Sequence, residues 1–291
     1  MKAASLKAFM TDYVELHCRS AFSFLRGAST PEQLAERAAQ LGMPAVALCD
    51  RDGVYGAPRF FARAREVGVR PIVGAELTME DGIILPVLAR SRSGYANLCR
   101  LLTRAHLRNT KGKCNARWDE LPAFADGLVA LAGSEAVIKR ASAIFVPDNL
   151  FVEIQRHRVR GEEKANRLLI ELAERLRLPL LASNGVLYSN ENERPILDVF
   201  TCIHHHTHLD AAGILLERNN ERYLKSAAQM RELFRDLPQA IENTHLLAGG
   251  LDFTLDDLGY EFPSFAVPAG ETMDSHLRRQ ALSGARERYG E

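Results

Sequence analysis

Ala45-Val46-Ala47-Leu48-Cys49 is an unbroken apolar run too short for a helix, and such a run reads as a strand buried on both faces. Asp50-Arg51-Asp52-Gly53 stands at its C-terminal end. The same device recurs along the chain. Tyr13-Val14-Glu15-Leu16-His17-Cys18 leads into Arg19-Ser20, Pro71-Ile72-Val73-Gly74-Ala75 ends in Glu76, and Ile83 to Leu88 follows the turn at Asp81-Gly82. Gly127-Leu128-Val129-Ala130-Leu131 leads to Gly133-Ser134-Glu135, Asn149 to Ile154 is tipped by Gln155-Arg156-His157, and Pro179 to Ser183 ends at Asn184-Gly185.

Helical patterns separate these runs. Ser29-Thr30-Pro31-Glu32 supplies a hydroxyl cap, a first-turn proline and a dipole-favoured acid for a helix carrying Leu34, Ala35, Ala38 and Leu41, which Gly42 stops. Further helices are predicted over about 57–67, from Tyr95 to Arg108 and from Glu162 to Leu176. Strands alternating with helices argue for parallel βαβ units with right-handed crossovers. His17, Asp50, Glu76, Glu153, Gln155 and Asn184 all fall at or just past strand ends, which in a barrel converge on one rim.

After Asn190 the pattern turns helical, with segments predicted near 194–206, 226–236 and 238–248. A connector then runs from Phe253 through Tyr260 and Pro263 to Gly270, and a last helix starts near Met273. The domain reading is a lead-in over 1–11, a barrel core over 12–190, a helical part over 191–250 and a connector with the start of a further region over 251–291.

Lys plus Arg and Asp plus Glu number 37 each, so no net charge draws the chain onto nucleic acid. A local basic stretch from Arg90 to Arg117, with Arg104, Arg108, Lys111 and Lys113, is the candidate DNA contact or else a solvated helix face. Five scattered cysteines without CxxC pairs and no signal-peptide core point to a reducing cytoplasm. No apolar run approaches the about 18 residues of a membrane span. Cys202, His204, His205, His206 and His208 include helical four-residue spacings, but Thr207 to Asp210 falls past the predicted helix end, so this run reads as surface histidines.

The motifs His17-Cys18-Arg19-Ser20 with Phe24-Leu25-Arg26-Gly27, Leu41-Gly42-Met43-Pro44-Ala45, Asp50 to Gly56, Pro71 to Glu76 and Phe253 to Tyr260 resemble the PHP (polymerase and histidinol phosphatase) domain of bacterial C-family DNA polymerases. The resemblance is closest to their error-prone, translesion branch. It implies a distorted seven-stranded (β/α) barrel, and in active members a cluster of metal ions that hydrolyses phosphoesters. It also implies a longer enzyme that extends a DNA primer with two Mg ions in a palm beyond this stretch. Its partners would be its own remaining domains, primer-template DNA, a sliding clamp and accessory mutagenesis proteins, with no membrane. The final helix has no stop after Arg286, and the chain is expected to break off as the palm begins.

Position by position, the resemblance leaves His17, Glu76 and His106 as vestigial metal ligands. Arg19, Arg26 and Arg51 stand where the family places other ligands, Gly185 and Leu187 stand at its late Asp-x-His pair, and Glu153 to His157 has no residue-by-residue match. No bound metal or other cofactor and no catalytic residue is therefore expected in this stretch. A salt-bridge network of Arg19, Arg26 and Arg51 on Glu76 is expected in place of the metals. The alternative implied is a stand-alone metal-dependent phosphoesterase or 3'-5' exonuclease.

Overall fold

The computed structural model describes residues 13–259 and 264–290. The expected lead-in at 1–11 and the Tyr260 to Pro263 part of the connector lie outside the described residues. Seven strands form one sheet in chain order: β1 (Glu15–Cys18), β2 (Ala45–Arg51), β3 (Arg70–Thr78), β4 (Ile84–Ala89), β5 (Leu128–Ala132), β6 (Leu150–Gln155) and β7 (Leu180–Ser183). The chain just past β7 returns to β1: Val186 N donates to the His17 carbonyl at 2.9 Å, and Arg19 N donates to the Val186 carbonyl at 2.8 Å. These bonds bring the sheet nearly to closure as a barrel.

The helices between strands are α1 (Pro31–Gln40), α2 (Ala57–Glu66), α3 (Arg92–Arg108), α4 (Glu135–Ala141) and α5 (Glu162–Leu176). Thr30 caps α1 as its sequence implies: its Oγ1 accepts from Gln33 N at 3.3 Å while the Gln33 side chain accepts from Thr30 N at 2.7 Å. The sheet departs from all-parallel order at β4, which runs antiparallel to both β3 and β5. The reason is local, because the Asp81-Gly82 turn is too short for the crossover that a parallel partner requires. Strands β2 and β3 also run further than their apolar runs, so Asp50, Arg51 and Glu76 lie within strands.

Alternate strand positions separate two cores. Leu16, Ala47, Cys49, Ile72, Val129, Leu131 and Leu181 form a buried cluster inside the barrel. Val46, Leu48, Ala75, Ala130, Val152 and Ile154 pack outward against helical residues such as Leu34, Phe60, Leu98 and Ile138. After the barrel come α6 (Arg194–His204), α7 (Leu209–Ala212), α8 (Ala227–Leu233) and α9 (Pro238–Gly249).

Helix α9 closes the end of the barrel where the strands start. Its Leu247 and Ala248, with Leu251 beyond it, join the interior cluster. Asn243 donates to the Leu180 carbonyl at 2.7 Å, Thr244 Oγ1 accepts from Val14 N at 3.1 Å, and Arg70 donates to the carbonyls of Ala248 and Leu251. The described residues up to Asp257 form one compact unit. A second unit from Leu258 contains α10 (Met273–Tyr289), capped by Thr272, with no buried residue among those described.

Candidate functional site at the barrel mouth

Strand β1 carries a bulge. Glu15 and Cys18, three residues apart, pair with Val46 and Leu48, two residues apart. One extra residue reverses the in-out alternation, so that His17 points into the mouth although its neighbour Leu16 lies inside the barrel. There His17 Nδ1 meets Glu153 Oε1 at 2.7 Å and its Nε2 meets Glu76 Oε1 at 2.8 Å. Two carboxylates facing both ring nitrogens require both to donate, which is the imidazolium form. Burial opposes that charge, but Glu153 and then Glu76 outweigh it and push the His17 pKa up to about 10.

Glu76 is 1% exposed and fully engaged. Its Oε1 accepts from His17 and from Arg19 Nη2 at 2.6 Å, and its Oε2 accepts from Arg51 Nε at 2.6 Å. Burial raises its pKa, yet Arg19, His17 and Arg51 hold it well below the usual carboxylate range. Glu153 is also held low, burial being outweighed by His17 and by the Ser183 hydroxyl that donates to it.

The opening loop is fixed by Asp50, which is 1% exposed. Asp50 Oδ1 accepts from Ser20 N and Ser23 Oγ, each at 2.7 Å, and Oδ2 accepts from Ser20 Oγ at 2.8 Å. Burial raises its pKa against these bonds. Gly27 is required where the loop closes, since a Cβ there would stand 2.3 Å from the Ser20 carbonyl oxygen.

Arg19 and Arg51 thus meet on Glu76, while Arg26 does not. Its guanidinium lies 3.4 Å from His204 Nε2, and its carbonyl accepts from Arg19 Nη1 at 3.2 Å. The loop turns through Leu25 at φ 62°, which carries the Arg26 side chain outward to α6. Burial, with repulsion from Arg51 and Arg19, lowers the Arg26 pKa. His106 also stays apart from the expected ligand set: from α3 its Nε2 donates to the Asp52 carbonyl at 2.7 Å and braces the loop after β2.

Sequence reasoning passed over two participants. Glu15 is completely buried and accepts from Tyr13 Oη at 2.5 Å and from the backbone N of His17 and of Asn184, each at 2.9 Å. Burial pushes its pKa up to about 7 despite those bonds. Its signal was a carboxylate set between Val14 and Leu16 in an otherwise apolar run. Arg222 reaches Gln155 Oε1 at 3.2 Å and the Gly185 carbonyl at 3.3 Å from a segment with no strand or helix signal. A Cβ at Gly185 would lie 2.7 Å from the Gln155 amide nitrogen and 2.8 Å from Arg222 Nη1.

A cavity of about 520 Å³ opens above this cluster, bordered by Ile84, Pro86, Ser134, Gln155, Gly185 and Arg222. The donor set does not fit a metal cluster. Both His17 nitrogens carry hydrogens toward carboxylates, both Glu76 oxygens are taken by cations, and Gly185 and Leu187 have no metal-binding side chain. Among the described residues no group of three His, Cys, Asp or Glu is placed to hold an ion. The histidine run does not converge either: α6 ends at His204, Cys202 is buried, and His204, His205, His206 and His208 are exposed.

Outside the barrel, Arg104 lies over the Phe124 ring at 5.0 Å and Arg108 is paired with Glu120, while Lys111 and Lys113 are exposed. Among the described residues no helix is long and apolar enough to cross a membrane.

A family model described as "PHP domain" matches residues 15–136. An error-prone DNA polymerase of Symbiobacterium thermophilum is 38% identical over 96% of this chain and 29% of its own length. Those of Alkalilimnicola ehrlichii and Mycobacterium bovis are 37% and 36% identical, again over 96% of this chain, and over 27% and 28% of their own lengths. The chain therefore spans little more than a quarter of these relatives. Among solved structures, an amidohydrolase from Chromobacterium violaceum is similar at TM-score 0.42 and 16% identity, over 60% of this chain and 88% of that one. Residues 15–136 of this seven-stranded barrel thus match the PHP domain, and almost the whole chain is similar to a part of proteins named error-prone DNA polymerase.

Proposed function

We propose that this chain is the PHP region of a longer error-prone DNA polymerase, and that its barrel mouth is a structural ion-pair cluster without phosphoesterase activity. The observation that carries the reading is the saturation of Glu76 by Arg19, Arg51 and His17. Guanidinium groups supply permanent charge where a metal site would need ions, and the carboxylate they hold is withdrawn from metal binding. A barrel held this way needs no bound ion for its integrity and serves the rest of the polypeptide as a folded support. Templated DNA synthesis, with translesion and damage-induced mutagenesis, belongs in this reading to the longer protein. Its palm supplies a two-Mg site, and primer-template DNA, a sliding clamp and accessory mutagenesis proteins are its partners in the cytoplasm.

Within this reading, the barrel core runs over 12–190, 191–250 is the helical part that packs on it, and 251–291 leads toward the palm. DNA contact falls on Arg104, Lys111 and Lys113 in preference to Arg108, which Glu120 holds. Reversing those three charges weakens primer-template affinity in the longer protein, and unchanged affinity removes the contact.

The deciding experiment is metal analysis of the purified chain with a phosphodiester hydrolysis assay in added Mn²⁺ or Zn²⁺. The expected outcome is substoichiometric metal and no hydrolysis above buffer. Stoichiometric metal with turnover abolished by Glu76→Gln establishes the metal-dependent phosphoesterase instead.

A further inference from the structure

The loop after β6 and the chain between α7 and α8 are rich in arginine, and most of these arginines have an acid. Arg156 pairs with Asp236 at 2.5 Å and Arg158 with Glu221 at 3.3 Å. Arg222 Nε donates to Glu217 Oε2 at 3.1 Å. Arg160 and Arg218 differ: both are exposed, and neither guanidinium makes an ion pair or hydrogen bond among the described residues.

Both of them line one pocket of about 320 Å³, together with Val159, Asn219 and Arg222. Its two carboxylates are already engaged. Glu162 accepts from the backbone N of His157 and Val159 and pairs with His157 Nδ1, while Glu217 holds Arg222. Three guanidinium groups therefore stand against two carboxylates, and the excess positive charge is that of Arg160 and Arg218. The walls are anchored. Asn219 Nδ2 donates to the His157 carbonyl at 2.6 Å and its Oδ1 accepts from Glu221 N at 3.1 Å, which ties the turn carrying Arg218 to the loop carrying Arg160. Arg222 is pinned on Gln155 Oε1 and the Gly185 carbonyl. Anchored walls reduce the ordering cost of binding.

We propose that Arg160, Arg218 and Arg222 form a metal-independent site for the phosphate group of a small phosphorylated molecule, at the outer edge of the barrel mouth. Guanidinium groups carry permanent charge and planar N–H pairs that match phosphate oxygens. The pocket shares His157, Glu162 and Arg222 with the mouth cavity and includes none of His17, Arg19, Arg51 and Glu76, so it stands apart from the ion-pair cluster. Its volume lies at the lower end of small-molecule sites, which favours a small anion over a nucleic-acid strand.

Titration calorimetry of the 291-residue chain in EDTA, with inorganic phosphate and deoxyadenosine monophosphate as separate probes, tests this. Saturable binding of at least one probe is expected, with a Kd of about 1 mM or tighter. The pair Arg160→Gln and Arg218→Gln should weaken it by about tenfold or more. Arg158→Gln, which removes an arginine outside the pocket that Glu221 already holds, should leave it within about twofold. The replaced residues are exposed, and an unchanged thermal midpoint shows that the barrel is intact. Equal affinity for the two probes supports the inference with free phosphate as ligand, and tighter binding of the nucleotide supports it with a phosphate ester as ligand. No saturation by either probe, or equal binding by the double variant, overturns it. Binding that needs added Mn²⁺ and is lost in Glu76→Gln places the phosphate on the mouth cluster, and overturns both the inference and the structural reading of that cluster. Single-stranded DNA that binds through Arg160 and Arg218 where neither probe does assigns the surface to nucleic acid and overturns the inference.

Discussion

Glu76 decides the energetics of the mouth because three cations share one carboxylate in a buried place. Glu76→Gln would leave Arg19 and Arg51 without their carboxylate, beside a His17 imidazolium that keeps only Glu153 as counter-charge. Breaking a buried pair from one side costs about 3–5 kcal/mol, and a fall in stability of that order is expected in urea unfolding. The same residues set the pH response. A histidine raised on folding stabilises fully below its unfolded value of 6.5, and that contribution is lost as pH rises through about 10. Glu15, raised to about 7, likewise favours the fold below 4.5 and loses that contribution as pH rises through 7. Glu76, held low, acts oppositely and costs stability only as pH falls into the acid range. Urea midpoints should therefore decline from pH 5 toward pH 10, and Glu15→Gln should flatten the part of that decline between about 4.5 and 7. The identities of Arg19, Arg51 and Glu76 and their place at strand ends were legible in the sequence. The outward turn of Arg26 was not, because it depends on one residue at positive φ.

Among the elements, β1 and α9 do the most to make the mouth. A single extra residue in β1 turns His17 inward, and composition carries no sign of such a register shift. The α9 pattern was legible as a helix over about 238–248, close to the observed Pro238–Gly249, but its position under the barrel was not. That position is set by long-range bonds from Arg70, Asn243 and Thr244. Leu247 is 4% exposed in the interior cluster, and Leu247→Ala should destabilise the chain by about 2–4 kcal/mol, measurable as a lower denaturant midpoint. Thr30→Ala, which removes a side-chain cap and leaves packing untouched, should cost about 1 kcal/mol. The antiparallel course of β4 was half legible: the Asp81-Gly82 turn was evident, and the direction it imposes followed only from its shortness.

At the scale of the molecule, seven apolar runs, most of them polar-tipped and separated by helices, were enough to indicate a barrel with one polar rim, because the constraint repeats along the chain and tolerates errors at any one strand. Arg222 escaped that logic, since it comes from a segment whose path is fixed by contacts and not by periodicity. If the cation cluster has taken over the work of ions, EDTA dialysis should leave the thermal midpoint unchanged, and a drop restored by Zn²⁺ or Mn²⁺ would show that metal still holds the barrel. The seal that α9 makes at the far end has a topological consequence. The barrel is a cul-de-sac and not a conduit: a linear polymer cannot be threaded through it, and whatever enters the mouth must do so end first and back out by the same door.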